Sequence, residues 1–273
     1  MIRKAAVILA SLICTVLSTR AQESFTINDY DLIGVNYGVS FSEMNFANEV
    51  KKQERLFNPT YVSLTYTHYL KLFDFLPYFG YQMGLAYGHE GYRFKVDKEK
   101  GTVDTEEGAT QATIEVVEFP FLAHLHYDAP YFKVMANAGL YAGYRLAITR
   151  EGPNVTQGLE NSFSSTDRRF DYGLQGGAGF GLVFSPVEFH VNALVRYSWS
   201  SICEPDTFSG SYKGYFYRYV YPFDINITAG IHIQLTKRTG RTSKDLRRQA
   251  REIVIKGWEL ENEISGNTES QDR

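Results

Sequence analysis

The chain has 273 residues, and 15% of them are aromatic, including 20 Tyr and 19 Phe. Its 28 Lys and Arg against 31 Asp and Glu leave a net charge of −3, which excludes the electropositive surface that nucleic-acid binding requires. Two cysteines are too few for a disulfide framework or a cysteine-based zinc site.

The chain begins MIRKAAVILASLICTVLSTRAQ. Arg3 and Lys4 precede an apolar run from Ala5 to Leu17, and Thr19-Arg20-Ala21 supplies small residues at the usual cleavage offsets. This predicts a secretory signal peptide over 1–21, cleaved near Ala21–Gln22, because the run is too short for a spanning helix. Cleavage leaves 25 basic residues against 31 acidic ones, and Cys203 as the single cysteine. No other stretch approaches the 18 apolar residues of a transmembrane helix.

Alternation with period two predicts eight long strands, near 30–42, 59–71, 77–93, 113–127, 131–146, 169–184, 187–200 and 222–236. The eighth is the sharpest. Phe223, Ile225, Ile227, Ala229, Ile231, Ile233 and Leu235 fall on one face, and Asp224, Asn226, Thr228, Gly230, His232 and Gln234 on the other. In the second strand His68 interrupts the apolar face. The links alternate in length: LFDFLP, DAP and SP are short, while 43–58, 94–112, 147–168 and 201–221 are long. Short turns at one end and long loops at the other describe an antiparallel up-and-down barrel of even strand number.

Two kinds of barrel fit this topology. A soluble one hides its apolar face and covers the outside with Lys and Glu. Here the polar face carries Gly, Asn, Gln, Ser, Thr and His, which suit a cramped lumen where polar groups must pair. Tyr87, Tyr92, Tyr127, Tyr144, Tyr197 and Trp199 stand near strand ends, as in the aromatic girdles of membrane barrels. The apolar face therefore meets lipid. The expectation is an all-β, eight-stranded transmembrane barrel over 22–236, in the outer membrane of a Gram-negative cell.

Beyond it lies a basic tail, 237–273. Thr242 or Ser243 caps a predicted helix over 243–264, with Leu246, Ala250, Ile253, Trp258 and Leu260 near one stripe and a weak point at Gly257. By the topology the tail is periplasmic. Lys237, Arg238, Arg241, Lys244, Arg247, Arg248 and Arg251, with Trp258, make it a candidate contact for anionic headgroups or for a periplasmic protein.

VVEFPFLAHLHY (116–127), DYGLQGGAGFGLVF (171–184), RYSWSSI (196–202) and ITAGIHIQL (227–235) resemble strands of the PorT-like outer-membrane β-barrels. The resemblance spans about 30–236. It implies the same barrel and, since the founding member belongs to a protein-secretion machinery, a scaffold or secretion accessory without enzymatic activity. The basic tail departs from barrels that stop at a terminal aromatic.

Several constellations stand out. His124, His126, His190 and His232 fall on the lumen face toward the short-turn end, with Lys133 and Glu188 at their level. A hydrogen-bonded plug is the expectation, and a metal site the alternative. Higher up come Glu118, Arg145, Asp171, Gln175, Arg196, Asp224 and Asn226; pairing Phe184 with Val187 across the tight turn sets Gln175 opposite Arg196, a candidate charged crosspiece. Tyr215, Tyr217, Tyr219 and Tyr221 alternate through GSYKGYFYRYVYP, either as a surface for glycan or protein or as an upward continuation of the eighth strand. His89 with Ser198 or Ser200 at the rim would be needed for a lipid-modifying enzyme. No catalytic residue, cofactor or metal is expected, and a monomer in outer-membrane lipid is.

Overall fold

The structure, a computed structural model, describes residues 25–47, 51–70, 78–98, 101–106, 108–155, 157–204, 206–209, 214–217, 219–242 and 247–258. The signal peptide, the LFDFLP link and the end of the tail lie outside these residues. The described residues fall into two compact units: those within 29–238, and 25–28 together with those from 239 onward.

The first unit is a closed barrel of eight antiparallel strands: β1 Tyr30–Ala47, β2 Leu56–Tyr69, β3 Tyr78–Phe94, β4 Gln111–Asp128, β5 Phe132–Glu151, β6 Phe170–Phe184, β7 Val187–Ser198 and β8 Tyr219–Gln234. Each strand pairs with the next, and β8 pairs back onto β1 from Gln234↔Leu32 to Tyr219↔Ala47. Closure gives every strand two hydrogen-bonded neighbours and leaves no edge. Several strands run farther than alternation alone predicted: β1 continues to 47 and β5 to 151, and β8 starts at 219 rather than 222. Two small strands, Asp206–Ser209 and Gly214–Tyr217, form a hairpin within the last long connection.

The tight connections are Ser185-Pro186 between β6 and β7, joined by a cis peptide, and Ala129–Tyr131 between β4 and β5, where the Ala129 N–H donates to the Phe132 carbonyl at 2.8 Å. Phe184 faces Val187, so Gln175 stands opposite Arg196, as the two-residue turn dictates.

The two faces differ chemically along every strand. Outward side chains are apolar: Val35, Leu85, Phe121, Leu140, Val191 and Ile231 each keep about half their surface open. A soluble monomer rarely exposes such a continuous apolar band. The inward face of β1 runs Asn36, Ser40 and Ser42, all buried, and then changes to Met44 and Phe46. These two meet Tyr92, Phe94, Ala112, Ile114, Ile148, Ile202, Cys203 and Val220 in an apolar cluster at the long-loop end. Each large side chain buried there contributes on the order of 1.5–3 kcal/mol. Arg150 pins the adjoining loop, donating to the carbonyls of Leu159 and Ser162 and to Asp167 at 2.8–3.1 Å.

In the second unit Phe25–Ile27 pairs with Gly240–Thr242, and a helix covers 247–258. The predicted start of that helix at 243 lies outside the described residues. Thr242 belongs to a strand, and Arg241 sits there opposite Thr26. Gly257 is helical. Arg238, counted with the tail from sequence, belongs to the barrel: it is buried and donates to Asp128 at 3.1 Å and to the Ala129 carbonyl at 2.7 Å.

At Gly34 the missing side chain is the space that His232 occupies: a Cβ there would stand 2.1 Å from His232 Nδ1. Gly34→Val is expected to push His232 off Asn36 and to destabilise the barrel by about 1–3 kcal/mol. A urea unfolding series in detergent reads this, and an unchanged midpoint would contradict the packing described.

Candidate functional site

The interior of the barrel holds two polar layers. The first, toward the long loops, is organised by two arginines. Arg196 of β7 donates from Nε to Asp224 Oδ2 at 2.9 Å, and its Nη2 lies 2.5 Å from the same oxygen. Nη1 reaches Glu118 and, at 3.4 Å, Asp171; Nη2 also reaches Glu90. Its guanidinium lies 5.1 Å from the centre of the Tyr141 ring. Arg145 of β5 donates to Glu90 at 2.6 Å, pairs with Asp171 at 3.1 Å, and donates to the Arg168 carbonyl at 2.9 Å. Four carboxylates thus surround two guanidiniums, with every one of the six side chains at most 2% exposed. The planar five-donor fork of Arg suits this bridging, since it meets acceptors from several strands at once. Ser198 and Tyr141 donate to Asp171 as well.

Gln175, although opposite Arg196, takes no hydrogen bond from it: its Oε1 is left without a donor. Alternation places a residue on a face, but it does not aim the end of a long side chain.

The second layer lies toward the short turns. Lys133 Nζ pairs with Glu188 at 2.5 Å, donates to the Tyr30 hydroxyl at 2.8 Å and sits 4.0 Å from the centre of the Tyr69 ring. Tyr30 and Tyr69 stack with centroids 4.5 Å apart. Tyr30 donates to Asp128, which also binds His126 and Arg238. His190 bonds Glu188 at 2.8 Å and stacks on His232 at 3.9 Å, and His232 bonds Asn36 at 3.0 Å. His124 bonds Asn137. The four imidazoles therefore each have a separate polar partner. Among the described residues no three metal-ligating side chains are arranged around a common point.

Glu90 and Asp128 were not singled out from sequence, and Arg238 was placed in the tail. Asp128 continues the parity of His124 and His126. Glu90 continues that of Gly80, Gly84 and Gly88, where the scarcity of side chains blurred the alternation on β3.

Other candidates separate. His89 faces outward beside Tyr87, with Nδ1 3.3 Å from the Thr60 carbonyl, whereas Ser198 faces the lumen and Ser200 is buried on the Phe170 carbonyl. A Ser–His pair at the rim is thereby ruled out for these residues. Tyr219 and Tyr221 lie on β8 and stack at 6.0 Å; Tyr215 and Tyr217 belong to the small hairpin, and their side chains lie outside the described residues. On the helix Arg247, Arg248, Arg251 and Trp258 are exposed, with Arg248 bonded to Glu252 one turn on; Lys244 lies outside the described residues.

Removing Arg196 would leave Glu118 and Asp224 buried beside each other without their cation. Arg196→Ala is expected to cost about 3–5 kcal/mol of barrel stability, while the chain still inserts. Adding Glu118→Gln and Asp224→Asn should recover part of the loss. Urea unfolding in lipid vesicles measures both, and equal midpoints for wild type and Arg196→Ala would contradict the assignment.

The sequence matches the family model described as outer membrane protein beta-barrel domain over residues 21–204. Among solved structures it is similar to Ail, the attachment invasion locus protein of Yersinia pestis, at 11% identity and a TM-score of 0.33, covering 75% of this chain and 99% of that one. It is also similar to a mutant of the monoaromatic hydrocarbon channel TodX, at 12% identity and a TM-score of 0.24, covering 77% of this chain and 59% of that one. No curated protein matches the chain in sequence. The family match extends over more than half of a chain whose strands close into an apolar-faced eight-stranded barrel, and the protein belongs to the outer-membrane β-barrel family.

Proposed function

We propose that the protein is a PorT-like membrane scaffold or secretion accessory, without enzymatic activity, that presents its long loops outside the cell and its basic tail in the periplasm. The observation that supports this most is the filled interior. Two salt-bridged layers and an apolar cluster follow one another along the lumen. The cavity left against that cluster, between Tyr92, Ile114 and Arg150, is about 20 Å³, room for roughly one water. Such filling, among the described residues of an eight-stranded barrel, supports a sealed lumen. Its work then falls to the ends, and the exposed Arg247, Arg248, Arg251 and Trp258 fit a periplasmic protein or anionic headgroups.

A second reading, capture of a surface ligand by the Tyr-rich segment, draws support from the stack of half-buried Tyr219 on Tyr221 on the outward face of β8. Deletion of 243–273 and deletion of 206–217 separate the two. The scaffold reading expects the tail deletion to reduce protein release into the medium, with barrel level unchanged, and the loop deletion to leave release intact. Full release without the tail would contradict it. In planar bilayers the purified protein is expected to give no stepwise conductance; steady open channels would contradict the sealed lumen.

A further inference from the structure

At the short-turn edge of β1 and β2 the outer face carries a polar knot. Asp31 Oδ1 accepts from the Tyr66 hydroxyl at 2.7 Å and lies 2.5 Å from His68 Nδ1, and Oδ2 accepts from Thr236 at 3.1 Å. An ionised carboxylate only accepts, so Nδ1 carries a hydrogen toward Asp31 and the ring is held in one orientation. The imidazole lies against Tyr81, with ring centroids 5.2 Å apart. Its Nε2 has no hydrogen-bond partner among the described residues. Both side chains remain about one quarter exposed, at 24% and 25%.

The next outward residues along these strands are Ile33 on β1 and, beyond Tyr66, Leu64 on β2, both exposed and apolar. The knot therefore marks the border of the lipid band, the depth at which headgroups lie. Asp31 already receives three hydrogen bonds, so it is poorly placed to take a cation. Nε2 is the group left to meet a ligand, and in its charged form it donates to an anionic oxygen.

We propose that His68, oriented by Asp31, binds the phosphate of a phospholipid headgroup. The full-length protein, extracted in mild detergent and supplied with dioleoylphosphatidylglycerol, dioleoylglycerol or inorganic phosphate, is examined by native mass spectrometry for retained molecules. Wild type is expected to retain the phospholipid and not the diacylglycerol, and His68→Phe to retain it roughly tenfold less, the loss of one charge-assisted hydrogen bond. Asp31→Asn, which keeps the imidazole but not its anchor, should shift retention the same way. Heat-modifiable migration in gels confirms that each variant is a folded barrel. Equal phospholipid retention by wild type and folded His68→Phe overturns the proposal, as does equal retention of diacylglycerol. Displacement of the lipid by inorganic phosphate would assign the site to soluble phosphate and overturn the lipid reading.

Discussion

A backbone in the middle of a bilayer has no water to satisfy its N–H and C=O groups, and each one left unpaired costs several kcal/mol. A strand in that setting must be hydrogen-bonded on both sides. The pairing of β8 onto β1, continuous from Gln234↔Leu32 to Tyr219↔Ala47, is where this chain meets the requirement. Once the sheet closes, period-two alternation sorts every side chain into one of two solvents. Val191 and Ile231 go to lipid; Asn192 and His232 go to the lumen.

The lumen poses the second problem. Eight strands enclose a space only wide enough for side chains, and water reaches little of it. The charges inside must then satisfy one another, because a buried unpaired ion is far costlier than a buried pair. Arg196 spans β7 to Asp224 on β8, Glu118 on β4 and Glu90 on β3, and so ties together strands far apart in sequence. Lys133 does the same between β5, Glu188 on β7 and Tyr30 on β1. Toward the long loops the strands no longer face these ions, and Met44, Phe46, Ile114 and Ile148 close the cylinder by apolar packing. The same inward face thus changes chemistry along its length.

Much of this was legible in the sequence, because alternation is a local signal and a two-residue turn fixes register. The pairing of Gln175 with Arg196 follows from Phe184 and Val187 alone. What local signals do not carry is where long side chains end. Gln175 stands in register with Arg196 without bonding it, and Glu90 bonds Arg196 from a strand whose glycines hide the alternation. Arg238 looked like one more basic residue of the tail, yet it reaches Asp128, 110 positions away in the chain. The apolar plug was equally illegible, since Met44 and Phe46 continue an inward face that reads as polar up to Ser42. His68 was visible as a break in an apolar face; its partner Asp31 was not, because the two meet only when β1 and β2 pair.

The assignment of faces underlies the whole account, and collision of a spin label with oxygen or with a water-soluble nickel chelate tests it most directly. With Cys203 replaced by Ser, nitroxides are placed singly at Val35, Val191 and Ile231 of the protein reconstituted in lipid. The account predicts that oxygen relaxes all three labels strongly and that the chelate scarcely touches them. Strong relaxation by the chelate at these positions would put the apolar faces outside the bilayer and contradict it.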